Sequence, residues 1–217
     1  PPLLAYHLTF LEVLSNCTVG RINITSIEAK VQSIYGCDDI IDSILHPDTT
    51  MITKKYLTLH LFNAIIEVEI MIPGLEKAKT IWNLLETYVL ELETMTKDIE
   101  HLDHENWRSE KIPRLQIEYY ITCVMCIGGF FARYYDPIQL ADDNTSNIPT
   151  GVSSITLTQA NVLMEKLYKY LREFYDYNSK HLKVHDKAHV YEALEALNKS
   201  AKEPYYEELE KIHLIEE

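Results

Sequence analysis

The stretch ITCVMCIGGFF, residues 121–131, is apolar on nearly every side of a helix, and Tyr119 and Tyr120 extend the run toward its start. A helix without a polar face needs neighbours all round it. The run from Tyr119 to Phe131 is therefore expected at the centre of the fold. It belongs to a helix from about Ile112 to Tyr134, with Pro113 tolerated in a first turn that needs no amide donor. The apolar stretch has 11 residues, well short of the roughly 20 that cross a bilayer. It reads as buried.

The flanking segments carry a helical period. Leu75, Ala78, Ile81, Trp82, Leu85, Tyr88, Val89 and Leu92 step along one face, and Leu57, Leu61, Ala64, Ile65 and Val68 do so before them. Pro73-Gly74 breaks the chain between the two. Thr156 and Gln159 match a capping box, opening a helix with Leu163, Leu167, Leu171 and Phe174 on one side. Another carries Val190, Leu194, Leu197 and Ala201 as far as Pro204, and Tyr206, Leu209 and Ile212 begin a last one. At the other end Leu3, Leu4, Leu8, Leu11 and Leu14 form an amphipathic helix. Residues 135–154, YDPIQLADDNTSNIPTGVSS, have the composition of a loop. The predicted fold class is all-α, with residues 1–217 as one helical domain. Two architectures are open: an armadillo- or HEAT-like α-solenoid of antiparallel helices, or an irregular helical bundle. No residue-level repeat is visible, so the solenoid rests on element order.

A chain of 217 residues that is 47% hydrophobic can bury a sizeable core. The net charge of −13 contains no block of five like charges. Phosphate binding needs clustered Lys and Arg, so nucleic acid is not an expected partner, and an anionic membrane surface would repel the chain. Cys17, Cys37, Cys123 and Cys126 are too few for a disulfide framework and fit a reducing cytosol. Asn-x-Ser/Thr sequons at Asn16, Asn23, Asn144 and Asn198 point the other way, but so short a pattern recurs by chance. The start, PPLLAYHLTFLEVL, lacks a basic segment, a cleavage site and an initiator Met. The chain is expected to be a piece of a longer, non-secreted protein.

A few constellations invite chemistry. His181, His185 and His189 recur every four residues, a spacing at which neighbouring imidazoles can share zinc. The outer two are about 12 Å apart along a helix, and Lys180, Lys183 and Lys187 crowd the same stretch. A solvated or partner-facing helix is expected there. Cys123 and Cys126 form a CxxC, but in mid-helix among apolar neighbours their thiols are expected to stay protonated and inert. His101 and His104, with Asp103 and Glu105, form a polar cluster in a link. Asp142, Asp143 and Asn144 offer oxygen ligands without the alternating order, central Gly and closing Glu of a calcium loop. The sequence has no nucleophile beside a local base, no Gly-rich phosphate loop and no HExxH. The expectation is a non-enzyme with no catalytic, ligand-binding, metal or cofactor residues.

One pattern goes beyond composition. Cys17, Thr18, Gly20, Arg21, Glu28, Lys30, Ser33, Asp38, Asp39, Ile40 and His46 follow in order across LEVLSNCTVGRINITSIEAKVQSIYGCDDIIDSILHPDT. The segment resembles the intracellular calcium-release channels, most closely the inositol trisphosphate receptors. There a helix ending in Cys-Thr and Gly-Lys/Arg-Asn precedes Glu-x-Lys-x-x-Ser and then Asp-Asp-Ile with a His nearby. IEVEI at 66–70 looks like the family's Thr-Glu-Val-Glu-Met, and IWNLLETYVLEL at 81–92 is similar to Met-Trp-Lys-Leu-Phe-Glu-Asn-Phe. YITCVMCIGGFFARYYDP at 120–137 resembles a helix ending in Phe-Phe. The likeness spans most of the chain and is most specific over 11–92. It departs at Tyr35-Gly36-Cys37, where the family has a Leu- and Pro-rich turn, and at Ile22, which displaces the Asn.

The resemblance implies a helical domain shared by inositol trisphosphate and ryanodine receptors. Such a domain is a non-catalytic α-solenoid between the ligand-binding core and the pore. Its partners would be other domains and subunits of a homotetramer, at the cytosolic face of the endoplasmic reticulum. Nothing here matches the ligand pocket or a pore, so no ligand residue is carried over. A free-standing helical-repeat adaptor that binds a peptide or protein is the alternative. Within the 11–49 segment, Gly20 is expected as a helix C-cap residue and Gly36 as a turn. Asp38 is expected as the next N-cap, with Asp39 in the positive first turn.

Overall fold

The apolar run of residues 121–131 does lie at the centre. A computed structural model describes residues 2–19, 25–100, 114–137, 155–178 and 182–201. All regular structure among them is helical: α1 (Pro2–Asn16), α2 (Thr25–Ile34), α3 (Cys37–Leu45), α4 (Met51–Leu61), α5 (Lys79–Glu100), α6 (Arg114–Arg133), α7 (Leu157–Asn178) and α8 (Val184–Ser200). A π turn, Phe62–Ile66, continues α4, and a 3-10 turn, Leu75–Lys77, precedes α5. The fold class is all-α, as expected.

α6 is covered by α4, α5, α8 and the π turn, and Val124, Ile127 and Phe130 have no exposed surface. Trp82 near the start of α5 meets Phe130 and Phe131 at the end of α6, edge-on at 5.4 and 6.1 Å. The two helices are therefore antiparallel. Tyr120 early in α6 meets Phe174 late in α7 at 6.2 Å, so α7 runs parallel to α5. Consecutive glycines let α6 be approached closely from two sides. A Cβ on Gly128 would stand 3.0 Å from the Ala193 Cα of α8, and one on Gly129 would stand 2.7 Å from Ile66 Cγ2 of the π turn. α6 is also a described helix long and apolar enough to cross a membrane, though most of its apolar window is buried in the bundle.

Several expected boundaries move. The stripe Leu57–Leu61–Ala64–Ile65–Val68 is not one helix: α4 stops at Leu61, the π turn ends at Ile66, and Val68 lies beyond it. Pro73-Gly74 does break the chain, with Gly74 at φ 79° in the left-handed region where glycine is favoured. α5 starts at Lys79, after the residues expected to open its stripe. In α1 the buried face is Leu8, Leu11 and Leu14, whereas Leu3 is 78% exposed, because α1 packs on one side only, against α4 and the π turn. Asp38 is not an N-cap. Gly36 takes that place in extended backbone and its carbonyl accepts the Ile40 N–H at 3.1 Å, leaving Asp38 and Asp39 both in the first turn of α3. The capping box holds: Gln159 Oε1 accepts the Thr156 N–H at 3.0 Å, and Thr156 Oγ1 accepts the Gln159 N–H at 3.3 Å. Tyr135, expected in the loop, is buried against Trp82 and Phe131. The rest of that loop from 138 to 154, the 101–105 cluster, Gly20, Arg21, His181 and residues 204–212 lie outside the described residues.

The thiols divide by burial. Cys123 and Cys126 are buried in mid-α6, where burial pushes both thiols up, and Cys126 Sγ donates to the Thr58 carbonyl at 3.4 Å. Cys37 is pushed up to about 12 by burial and by the neighbouring Asp38. Cys17 is exposed. A maleimide at pH 8 is expected to label Cys17 in the native protein and the other three only on unfolding, counted by intact mass. Fast native labelling at Cys123 or Cys126 would contradict this packing.

Candidate functional site

The chain after α4 cannot hold itself by local bonds. The Glu67 N–H donates to the Phe62 carbonyl at 2.7 Å, one residue further back than in an α-helix, and the ladder then ends. Backbone groups left over near a core need partners. For much of residues 65–72 those partners are side chains from other elements.

α2 supplies two. The Glu28 carboxylate is 2% exposed. It accepts the Glu69 N–H at 3.2 and 3.3 Å and the Ile70 N–H at 3.2 Å. Gln32, one turn later on the same face, donates from Nε2 to the Ala64 carbonyl at 3.0 Å and the Ile70 carbonyl at 3.2 Å. The end of α6 supplies the other side. Arg133 donates to the Val68 carbonyl and pairs with Glu67 at 3.5 Å. The Tyr134 hydroxyl donates to the Ile65 carbonyl at 2.8 Å and accepts the Ile72 N–H at 3.2 Å. Burial raises the Tyr134 pKa, which keeps that hydroxyl a donor.

The end of α1 joins the same seam. The Thr18 hydroxyl lies 2.8 Å from the Ser15 carbonyl and 2.9 Å from that of Asn63. Ser15 Oγ donates to the Leu59 carbonyl at 3.2 Å and accepts from Asn63 Nδ2 at 2.9 Å. Beneath lies a small apolar cluster of Leu14, Val31 and Ala64, separate from the main core. Three helices are thus tied by polar side chains to the end of α4 and the irregular backbone that follows it. No nucleophile or paired base is among these groups; what the joint can do is hold α1, α2 and α6 in a fixed relation to α4.

Removing Glu28 tests that role. Glu28→Ala is expected to lower stability by about 2 kcal/mol, since two N–H groups lose their acceptor. Glu69 and Ile70 are exposed enough for water to replace part of the loss. Glu28→Gln, which keeps one acceptor oxygen, should cost about half as much. Urea unfolding measures both, and an unchanged midpoint for the alanine variant would contradict the clamp.

Of the residues that carry the family resemblance, the structure brings together Thr18, Glu28 and the 66–70 segment. Cys17, Lys30, Ser33 and His46 are exposed and outside the joint, and Ile40 is buried in the core. Asp38 accepts the Thr80 hydroxyl at 2.9 Å, tying α3 to α5. His185 turns to Asp186 at 2.8 Å and His189 to Glu192 at 3.3 Å, each to its own carboxylate. No group of three or more metal-ligating side chains occurs among the described residues. Gln32, Arg133, Tyr134, Ser15 and Asn63 carry the joint without any signal in the motif reading. One signal was present in α2, where Ile27 and Ile34 face outward while Glu28 faces inward. A second polar cluster, Glu91 with Lys54 at 3.2 Å and the Tyr119 hydroxyl at 2.6 Å, ties α4, α5 and α6 together. No protein-family model matches the chain.

Proposed function

We propose that the chain is a non-catalytic coupling domain of an inositol trisphosphate receptor-like calcium-release channel, relaying ligand binding toward the pore. The observation that supports this reading is the convergence at the joint. Thr18, Glu28 and the 66–70 segment belong to separate pieces of the pattern resembling those channels, and Glu28 meets Glu69 across 41 residues of chain. In the proposed setting the bundle stacks, armadillo-like, with other cytosolic domains of a homotetramer at the endoplasmic reticulum. Its packed core resists bending, and the side-chain-held seam is where a tilt of α1 and α2 reaches α6.

The test belongs in the full-length channel. Deleting this domain is expected to leave ligand affinity at the binding core intact while abolishing ligand-evoked opening, and Glu28→Gln should reduce that opening. A deletion channel that gates normally would end the relay reading. A full-length gene encoding only a short soluble protein would favour the adaptor instead.

A further inference from the structure

We propose that the groove between the start of α5 and the first half of α7 is a docking site for an acidic amphipathic helix of a partner protein. The groove encloses about 530 Å³. Trp82 and Leu163 form its buried floor, and Val162 stands on its wall half exposed, an apolar side chain without cover. Lys79 and Lys166 stand at its rim, against the single carboxylate of Glu86.

Charge singles this groove out. The chain as a whole carries −13, yet here two ammonium groups face one carboxylate. Elsewhere on α7 the cations are matched: Lys169 pairs with Glu173 at 3.9 Å and Arg172 with Asp176 at 3.3 Å, both one turn ahead. Lys166 has Val162 and Tyr170 at those positions, and neither it nor Lys79 has an ion pair among the described residues. A larger groove of about 810 Å³ lies between the π turn and α8, but its lysine already has a carboxylate partner. There Glu67 pairs with Arg133, Glu192 with His189 and Glu195 with Lys199 at 2.7 Å. Of these two grooves, the one between α5 and α7 offers exposed apolar surface beside unmet positive charge.

Its shape fits a helix. The α7 wall runs from Thr158 to Lys166, about 12 Å or a little over two turns, the length over which a docked helix presents apolar anchors at i, i+4 and i+7. One anchor packs against Val162 and the floor, and acidic residues a turn to either side reach Lys79 and Lys166. This holds whether the chain is a channel domain or an adaptor.

A fluorescein-labelled 15-residue helical peptide, with Leu at i, i+4 and i+7 and Glu beside them, is the probe, titrated with the intact chain and read by anisotropy. Its counterpart has Lys in place of every Glu. The acidic peptide is expected to bind and the basic one not. Lys79→Glu with Lys166→Glu should weaken binding about ten-fold or more, raising salt should weaken it too, and Val162→Asp should abolish it. Unchanged far-ultraviolet circular dichroism and melting temperature certify each variant, and Lys79→Gln with Lys166→Gln replaces the reversal should it unfold. Equal binding of both peptides, no binding of the acidic one, or indifference to the lysine changes overturns the proposal. Sedimentation that reveals self-association lost in Val162→Asp would make the groove a contact between copies, and overturns it equally.

Discussion

Gly128→Val is expected to lower the unfolding free energy by about 3 kcal/mol. A Cβ at this position meets the Ala193 Cα at 3.0 Å and its backbone N at 3.3 Å, and backbone cannot rotate aside. α8 would have to lift from α6, uncovering Val190, Ala193, Leu194 and Leu197, none of which has exposed surface. Gly128→Ala should be milder, because alanine recovers about 1 kcal/mol of helix propensity. At Gly129 the obstacles are side-chain atoms of Ile66 and Phe62, which can shift, so Gly129→Ala should cost less than Gly128→Val despite its shorter 2.7 Å contact. Urea midpoints give the ranking. A Gly128→Val protein as stable as the parent would contradict the close approach of α6 and α8.

The second large effect is pH-dependent. His60 in α4 is fully buried, its ring edge-on to Tyr35 at 6.0 Å, and neither ring nitrogen has a hydrogen-bond partner among the described residues. Burial lowers its pKa from 6.5 to about 4. The folded protein therefore holds His60 neutral where the unfolded chain already binds a proton, and stability falls as pH drops from about 6.5 toward 4. The full loss is about 3 kcal/mol, of which about 2 kcal/mol is gone by pH 5. Above pH 7 the group contributes no slope. His60→Leu removes both the titration and the unsatisfied nitrogens, so it should be the more stable protein at pH 5, with a smaller gap at pH 7.5. Parallel denaturation curves for parent and variant across that range would show that His60 is not held neutral.

The helices were legible because their information is local. The runs in α5 and α6, the Thr156–Gln159 box and the Pro73-Gly74 break each depend on residues within a turn or two of one another. The joint was not, because a bond such as Arg133 to Val68 spans 65 residues and follows no period. Glu28 shows the difficulty well: on a helix it reads as a solvated acid, and it is buried because the opposing surface is bare backbone that needs an acceptor. The shifted start of α3 has a smaller cause. Asp is a good N-cap, but Gly36 two residues earlier already supplied the extended conformation.

The joint also sets an order of assembly. Residues 67–72 have no regular structure to form early, and their described side-chain partners lie 38 to 42 residues away in α2 and 62 to 66 away at the end of α6. Closing loops of that size has an entropic cost that nothing within the segment offsets. Its amides therefore gain protection only after α2 and α6 have docked on α4. In refolding followed by pulsed hydrogen exchange, Glu69, Ile70 and Ile72 should be protected after the amides of α6, the last stitch in a fold whose helices are already in place.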